Sequence, residues 1–542
     1  MALRLSLELM KDLRNKIEFD LKMAKEYDLE SAMWKSCVQV PIQAFRKRLK
    51  AEKGGKTYKE TLKSFHNCVR EYMNVYRSML SCATSGGGGG RKSKKRKDDV
   101  KDSLYRYNIF LGDLARYKEL YSLNRKKIFK EAMQYYKKAR SVVPYRGNPY
   151  NQLAVLASYE SRSLDAMYFY VRALCCKIPF PTARENMNQF ISAVLKNRSR
   201  HLVKDRYSKL DAMLVSASSS GRSQDKIVRE KIRRSARTSI TTFHASVLSL
   251  DSPPRDGKMW NTLYLGALES VRFLLDRNML TLESSVQLLA TCIYSCEHAA
   301  SERAKECAVQ FLIQFLSLAL SNLEKNEEDD DVSLGTIRIF TDWCCRGDVH
   351  DSIRSFVSTP RNVLALKFWT RLCEIVNEHA VKVEDTYRFA SPEHLTLRGY
   401  SLIDTASYEE MSETSSGGRE KRVVLNAQRW YAIRINIERI ADESEACCVY
   451  PIEDDVMLSF TTDRTLYLAS HEKEEEDEEE DDDDDDDEEV IVFSPESRRR
   501  QHYDDEEPKA SITKQPPSHD DATLSLIEKL RISSRSKGYD LF

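Results

Sequence analysis

The chain has 542 residues, 41% apolar and 31% charged, which is enough apolar sequence for sizeable helical cores and too much charge for a single compact body. The net charge of +1 conceals an asymmetry: Glu474–Glu489 is sixteen consecutive acids, and removing Glu472–Glu489 leaves 85 − 1 = 84 basic against 84 − 17 = 67 acidic residues. The remaining body, about +17, attracts anions such as phosphoprotein, nucleic acid or acidic lipid. Thirteen scattered cysteines, three pairs of them adjacent (Cys175-Cys176, Cys344-Cys345, Cys447-Cys448), do not form a disulfide framework and read as reduced thiols of an intracellular protein. The first residues lack an apolar core of signal-peptide length, and no unbroken run of about 18 apolar residues occurs, so no membrane span is expected.

In chain order, Leu3, Leu7, Leu13 and Ile17, with Met10 beside them, predict a first helix. Trp34, Val38, Ile42 and Phe45 predict a second over 32–50, and 57–79 is a third. The glycines at 86–90, followed by the basic run 91–97, predict a flexible loop over 84–101. Residues 102–195 carry an internal repeat of 34 residues: Ala132 aligns with Ala166, Met133 with Met167, Tyr135 with Phe169, Tyr136 with Tyr170 and Ala139 with Ala173. Thirty-four is the tetratricopeptide period. Its small residues let antiparallel helices approach, its aromatics fill the next layer, and Pro144 and Pro179 close the units. Leu153-Ala154 takes the place of the Leu-Gly step in the second unit, whereas Leu111-Gly112 lies several residues too far upstream of Ala132.

Residues 196–235, basic and Ser-rich, predict a hinge. Helical patterns return over 236–323 and 334–384, with an insert at 324–331 between them, a second insert at 412–420 and a last helix over 423–440. Residues 456–462 suit a short strand or a buried extended segment. From 471 to 542 an acidic, disordered tail is expected, with an amphipathic stretch at 522–532.

The candidate chemistry begins with Arg116 and Tyr117, a planar fork beside a hydroxyl, which suits a phosphate. Arg116 could equally pair with Asp113, three residues earlier. Arg46, Lys47 and Lys50 form a second cation cluster, and Asn151 could hold a peptide backbone. Cys292, Cys296 and His298 hint at a metal, but the spacing fits no standard zinc pattern, and core thiols are the better reading. No P-loop, dinucleotide fingerprint, kinase set or nucleophile elbow appears, so no cofactor and no enzymatic activity are expected.

The stretch GlyAspLeuAlaArgTyr (112–117) resembles the Gly-Asp-x-x-Arg-Tyr motif of 14-3-3 proteins. With AsnProTyrAsnGlnLeuAla (148–154), AlaMetTyrPheTyrValArgAlaLeu (166–174) and ProPheProThrAla (179–183), it resembles the SMG family of nonsense-mediated mRNA decay, related to the ever-shorter-telomeres protein. The match is strongest over 102–195 and weaker at 1–80 and 236–465, where ThrThrPheHisAlaSerValLeu (241–248) looks like a family helix.

The resemblance implies an all-α fold: a 14-3-3-like tetratricopeptide domain over 1–200, a helical-hairpin domain over 236–465, and the tail. It implies that Arg116 and Tyr117 hold a phosphate, joined by Arg46 or Lys47, and that Asn151 holds the peptide backbone. The implied ligand is the phosphorylated RNA helicase of the decay pathway. The implied partners are a paralogous family member, as a heterodimer, and a protein phosphatase, in the cytoplasm with passage to the nucleus. Some family members end in a nuclease domain, but beyond 470 this chain has no alternating strands and helices to build one. The competing readings are a telomere- or RNA-associated nucleic-acid binder, motivated by the +17 body and the run 91–97, and a scaffold whose phosphate site is degenerate.

Overall fold

The computed structural model describes residues 2–53, 55–85, 94–124, 126–196, 212, 214, 222–250, 254, 256–326, 331–345, 363–378, 392–397, 419–442, 449–454, 457–463 and 465–466. They form helices and one two-stranded hairpin, the all-α class expected. The acidic tail, the basic run 91–93 and the amphipathic stretch 522–532 lie outside the described residues.

Two compact units part at Tyr72/Met73, within one helix. In the first, α1 (Ala2–Phe19), α2 (Leu21–Glu26) and α3 (Leu29–Met33) precede a π turn (Trp34–Gln39) that runs into α4 (Val40–Ala51). The Val40 N–H bonds Lys35 O, five residues back, which widens the helix there, and Pro41, with no N–H to give, follows in the first turn of α4. This shifts the predicted stripe: Val38 and Ile42 are buried, but Trp34 and Phe45 only partly so. α5 (Tyr58–Ser85) gives its residues up to Tyr72 to this unit, where Phe65 packs edge-on to Phe45 and the Tyr72 hydroxyl lies 3.1 Å from Ser6 Oγ.

The second unit begins with hairpins of antiparallel helices: α6 (Lys94–Leu120) with α7 (Lys130–Val142), then α8 (Asn148–Tyr159) with α9 (Ser163–Leu174), then α10 (Ala183–Lys196). The 34-residue repeat is α7 and α9: Ala132, Tyr136 and Ala139 are buried on one, Ala166, Tyr170 and Ala173 on the other. The irregularity upstream has a simple cause. The connection inside the first hairpin is nine residues (121–129) against three in the second (160–162), so Gly112 is displaced in sequence yet faces Tyr136 in space.

Further on come α11 (Arg222–Leu248), α12 (Gly257–Asp276), α13 (Leu282–Glu297), α14 (Glu302–Asn326), α15 (Asp331–Cys344), α16 (Val363–Glu378), α17 (Pro392–Leu397) and α18 (Arg419–Asp442). Asp256 and Thr281 cap α12 and α13 by accepting backbone N–H groups, which satisfies donors that the first turn leaves open. β1 (Tyr450–Asp454) pairs antiparallel with β2 (Met457–Thr461), and the Asn377 amide pins β2 through both N–H and C=O of Phe460.

Two expectations are revised, and a third feature bears on the apolar pattern. The loop over 84–101 is shorter, because 84–85 end α5 and 94–101 open α6. The hinge over 196–235 does not separate compact units: α11 starts at Arg222 and packs on both α9 and α10, burying Val228 and Ile232. Finally, α14 is long and apolar enough to cross a membrane by composition, although no unbroken apolar run marks it. Its apolarity serves the core, where Phe311, Phe315 and Leu316 are fully buried between α12, α13 and α15.

A candidate phosphate-binding site

Arg116 stands one turn after Gly112-Asp113 on α6. Gly112 lets α7 come close, since a Cβ there would lie 2.4 Å from Cε1 of the Tyr136 ring. With that ring against the α6 backbone, its hydroxyl donates to Asp113 Oδ1 (2.7 Å) and accepts from Arg116 Nε (3.2 Å). Arg116 Nη2 donates to the same Asp113 oxygen (2.9 Å), closing a triangle of guanidinium, carboxylate and phenol. Burial pushes the Tyr136 phenol well above its ordinary range, and the Asp113 charge pushes the same way, so the hydroxyl keeps its proton.

Of the two alternatives for Arg116, the pairing with Asp113 is the one seen. The Arg116 hydrogen bonds use Nε and Nη2, and Nη1 has no acceptor among the described residues on a side chain still 12% exposed. The Tyr117 ring centroid lies 4.5 Å from the Arg116 guanidinium carbon. The sequence reading gave Tyr117 a hydroxyl donor; in the structure its ring steadies the cation.

Asn151 sits in the first turn of α8 and is nearly fully buried. The turn is set by Gly147, whose missing side chain lets the backbone lie against the 173–180 segment: a Cβ would fall 2.3 Å from Ala173 O. Asn151 Oδ1 accepts from Asn186 Nδ2 at 3.0 Å, a bond that uses the amide oxygen and not its NH2. The sequence reading missed Asn186, on the helix that follows ProPheProThrAla, and the place of that helix after the second hairpin was the available signal. The hydrogen bonds of Arg116 run to α6 and α7, those of Asn151 to α10. Arg46 and Lys47 are exposed on α4 of the first unit.

Tyr136 was recognised in sequence only as a repeat aromatic; its polar role with Asp113 was not. The Cys292, Cys296 and His298 set behaves as core: both thiols are buried, and the His298 ring stacks on Tyr294 at 4.1 Å. Burial raises both thiols well above their ordinary value, which keeps them protonated.

Stacked antiparallel helix hairpins, the first carrying a supported guanidinium, define a helical-repeat scaffold. Residues 132–407, that is 407 − 132 + 1 = 276 of 542, match the family described as "Est1 DNA/RNA binding domain". The chain belongs to this family. It is 44% identical over 101 residues to nonsense-mediated mRNA decay factor SMG7 of Arabidopsis thaliana, covering 18% of this chain and 9% of that protein. It is 30% identical over 181 residues to telomerase-binding protein EST1A of Danio rerio, covering 31% of this chain and 12% of that one. The matched stretch is thus about a tenth of either relative's length. The solved structure "Crystal structure of Est1 and Cdc13" superposes with a TM-score of 0.56 at 13% identity, covering 80% of this chain and 91% of that one, a likeness of fold.

Proposed function

We propose that the chain is a non-enzymatic adaptor that binds phosphoserine or phosphothreonine segments in nonsense-mediated mRNA decay. The observation that carries the reading is Arg116, buttressed by Asp113 and Tyr136, with its Nη1 donors uncommitted among the described residues. A preorganised fork loses little freedom on meeting a phosphoryl group, and each charge-assisted hydrogen bond is worth about 1.5–3 kcal/mol. Asp113 offsets part of the Arg116 charge, so discrimination needs further cations, and Arg46 and Lys47 are the proposed ones. Asn151 would hold the peptide backbone.

The likeness to SMG7 supports the pathway. On this reading the ligand is the phosphorylated helicase of the pathway, the partners are a paralogue and a phosphatase, and the setting is the cytoplasm. Fluorescence anisotropy with one peptide in phosphorylated and plain forms tests it. Wild type should prefer the phosphorylated form by tenfold or more, on the order of one charge-assisted bond, and Arg116→Glu should erase the preference. Equal binding of both peptides by wild type defeats the reading.

A second reading, nucleic-acid binding, has its own observation: Lys226, Lys231 and Arg234 are exposed along α11, inside the region matching a family named for DNA/RNA binding. It predicts steep salt dependence with single-stranded RNA or DNA and a shallower slope once these three are neutralised.

A further inference from the structure

Arg172, fully buried on α9, bonds in two directions. Its Nη2 donates to the Tyr150 hydroxyl at 2.9 Å, and its guanidinium carbon lies 4.7 Å from the Tyr150 ring centroid. A second guanidinium, Arg140, lies 5.8 Å from the same ring, and the Tyr150 hydroxyl donates to Pro144 O at 3.2 Å. Tyr150 is therefore clamped from several sides, and it immediately precedes Asn151 on α8.

In the other direction, Arg172 Nη1 donates to Leu397 O at 3.2 Å, and the Tyr168 hydroxyl donates to Thr396 O at 3.2 Å. These carbonyls end α17, a six-residue helix whose last carbonyls find no N–H donors within the helix itself. The opposite end of α17 is gripped by Arg429, whose Nε and Nη2 meet the two Glu393 oxygens at 2.8 Å each, all buried. A continuous line of buried polar contacts thus runs α18–α17–α9–α8 and stops one residue short of the amide proposed to hold peptide backbone. Buried hydrogen bonds of this kind restrict the arrangements of the groups they join, and a binding amide must be held to within about 0.5 Å.

We infer that Arg172 is a positioning residue for peptide binding: through Tyr150 it fixes the first turn of α8, and so Asn151, relative to α17. The C-terminal helices then set the affinity for peptide backbone without touching it. The inference rests on the phosphopeptide reading.

The test uses the full chain as wild type, Arg172→Lys, Asn151→Ala and the double variant. The substituted ammonium keeps the charge, but it is a single point and cannot serve Tyr150 and Leu397 together. Two probes are titrated, a phosphoserine peptide and blocked phosphoserine alone, which lacks flanking backbone. Arg172→Lys should lose about three- to tenfold in peptide affinity, the worth of one hydrogen bond, and so should Asn151→Ala. The double variant should lose no more than about twofold beyond the worse single, because the two act as a unit. Affinity for blocked phosphoserine should stay within about twofold throughout.

A folded Arg172→Lys that binds peptide like wild type overturns the inference. So do losses that multiply in the double variant, or an equal loss with blocked phosphoserine. If Arg172→Lys does not fold, Glu393→Gln loosens the far end of α17 and should give a smaller loss with the same non-additivity; no loss overturns the inference. Wild type that cannot tell phosphorylated from plain peptide sinks the phosphopeptide reading, and this inference with it, a pattern distinct from the others.

Discussion

Arg116 shows how one side chain can be both structural and available. Two of its nitrogens are committed to Asp113 and Tyr136, and that commitment aims the third. The arrangement depends on Gly112. Gly112→Ala would drive a methyl into the Tyr136 ring, and we expect a loss of about 1–3 kcal/mol in stability by denaturant unfolding. Tyr136→Phe keeps the ring and removes only the hydroxyl that Asp113 and Arg116 share. It should leave the helices intact by circular dichroism while weakening phosphopeptide binding several-fold, roughly the worth of one hydrogen bond. At this scale the sequence was legible at the Asp113–Arg116 pair, which their spacing of three on one helix anticipated. It was silent on Tyr136 and Asn186, because a repeat-position aromatic and an amide on a later helix acquire polar partners only once the helices are packed.

At the scale of elements, the hairpins explain why the 34-residue spacing was readable. Ala132, Tyr136 and Ala139 face the neighbouring helix for the same steric reason as Ala166, Tyr170 and Ala173. Loop length broke the register between Gly112 and Ala132, and loops carry no periodicity from which to recover it. α17 was unreadable for another reason: six residues make less than two turns, and their helical state depends on Arg172, Tyr168 and Arg429 from distant parts of the chain. Arg429 also bonds Asp331 at 2.7 Å, so one buried guanidinium joins α15, α17 and α18. Glu393→Ala leaves that cation short of its buried carboxylate. It should cost about 3–5 kcal/mol, seen as a lowered Tm, whereas Arg371→Ala on an exposed pair should cost about 1 kcal/mol or less.

At the scale of the molecule, charge and pH matter most. His244 is fully buried against Phe311, shares a hydrogen bond with Ser295 (2.9 Å) and lies 3.7 Å from Cys292 Sγ. Burial pushes its pKa down to about 3 from 6.5. Between those values the unfolded chain takes up a proton that the folded chain refuses. The contribution to stability is therefore complete above about pH 6.5 and is lost as pH falls toward 3, with a slope of at most about 1.4 kcal/mol per pH unit. Urea unfolding from pH 7 to pH 4 should show that decline, and His244→Gln should flatten it. The division of the chain at Tyr72 was not legible, because it falls inside a continuous helix that no composition shift marks.

The central claim is that Arg116 meets a phosphoryl group directly, and the 31P resonance of a phosphoserine peptide reports on this most directly. Titrated with the protein, the resonance should shift, and the second phosphate pKa, near 6 in free peptide, should fall on binding because a guanidinium favours the dianion. Arg116→Glu should abolish both changes. A peptide that binds with its 31P signal and pKa unaltered, or that behaves identically with Arg116→Glu, would contradict the account.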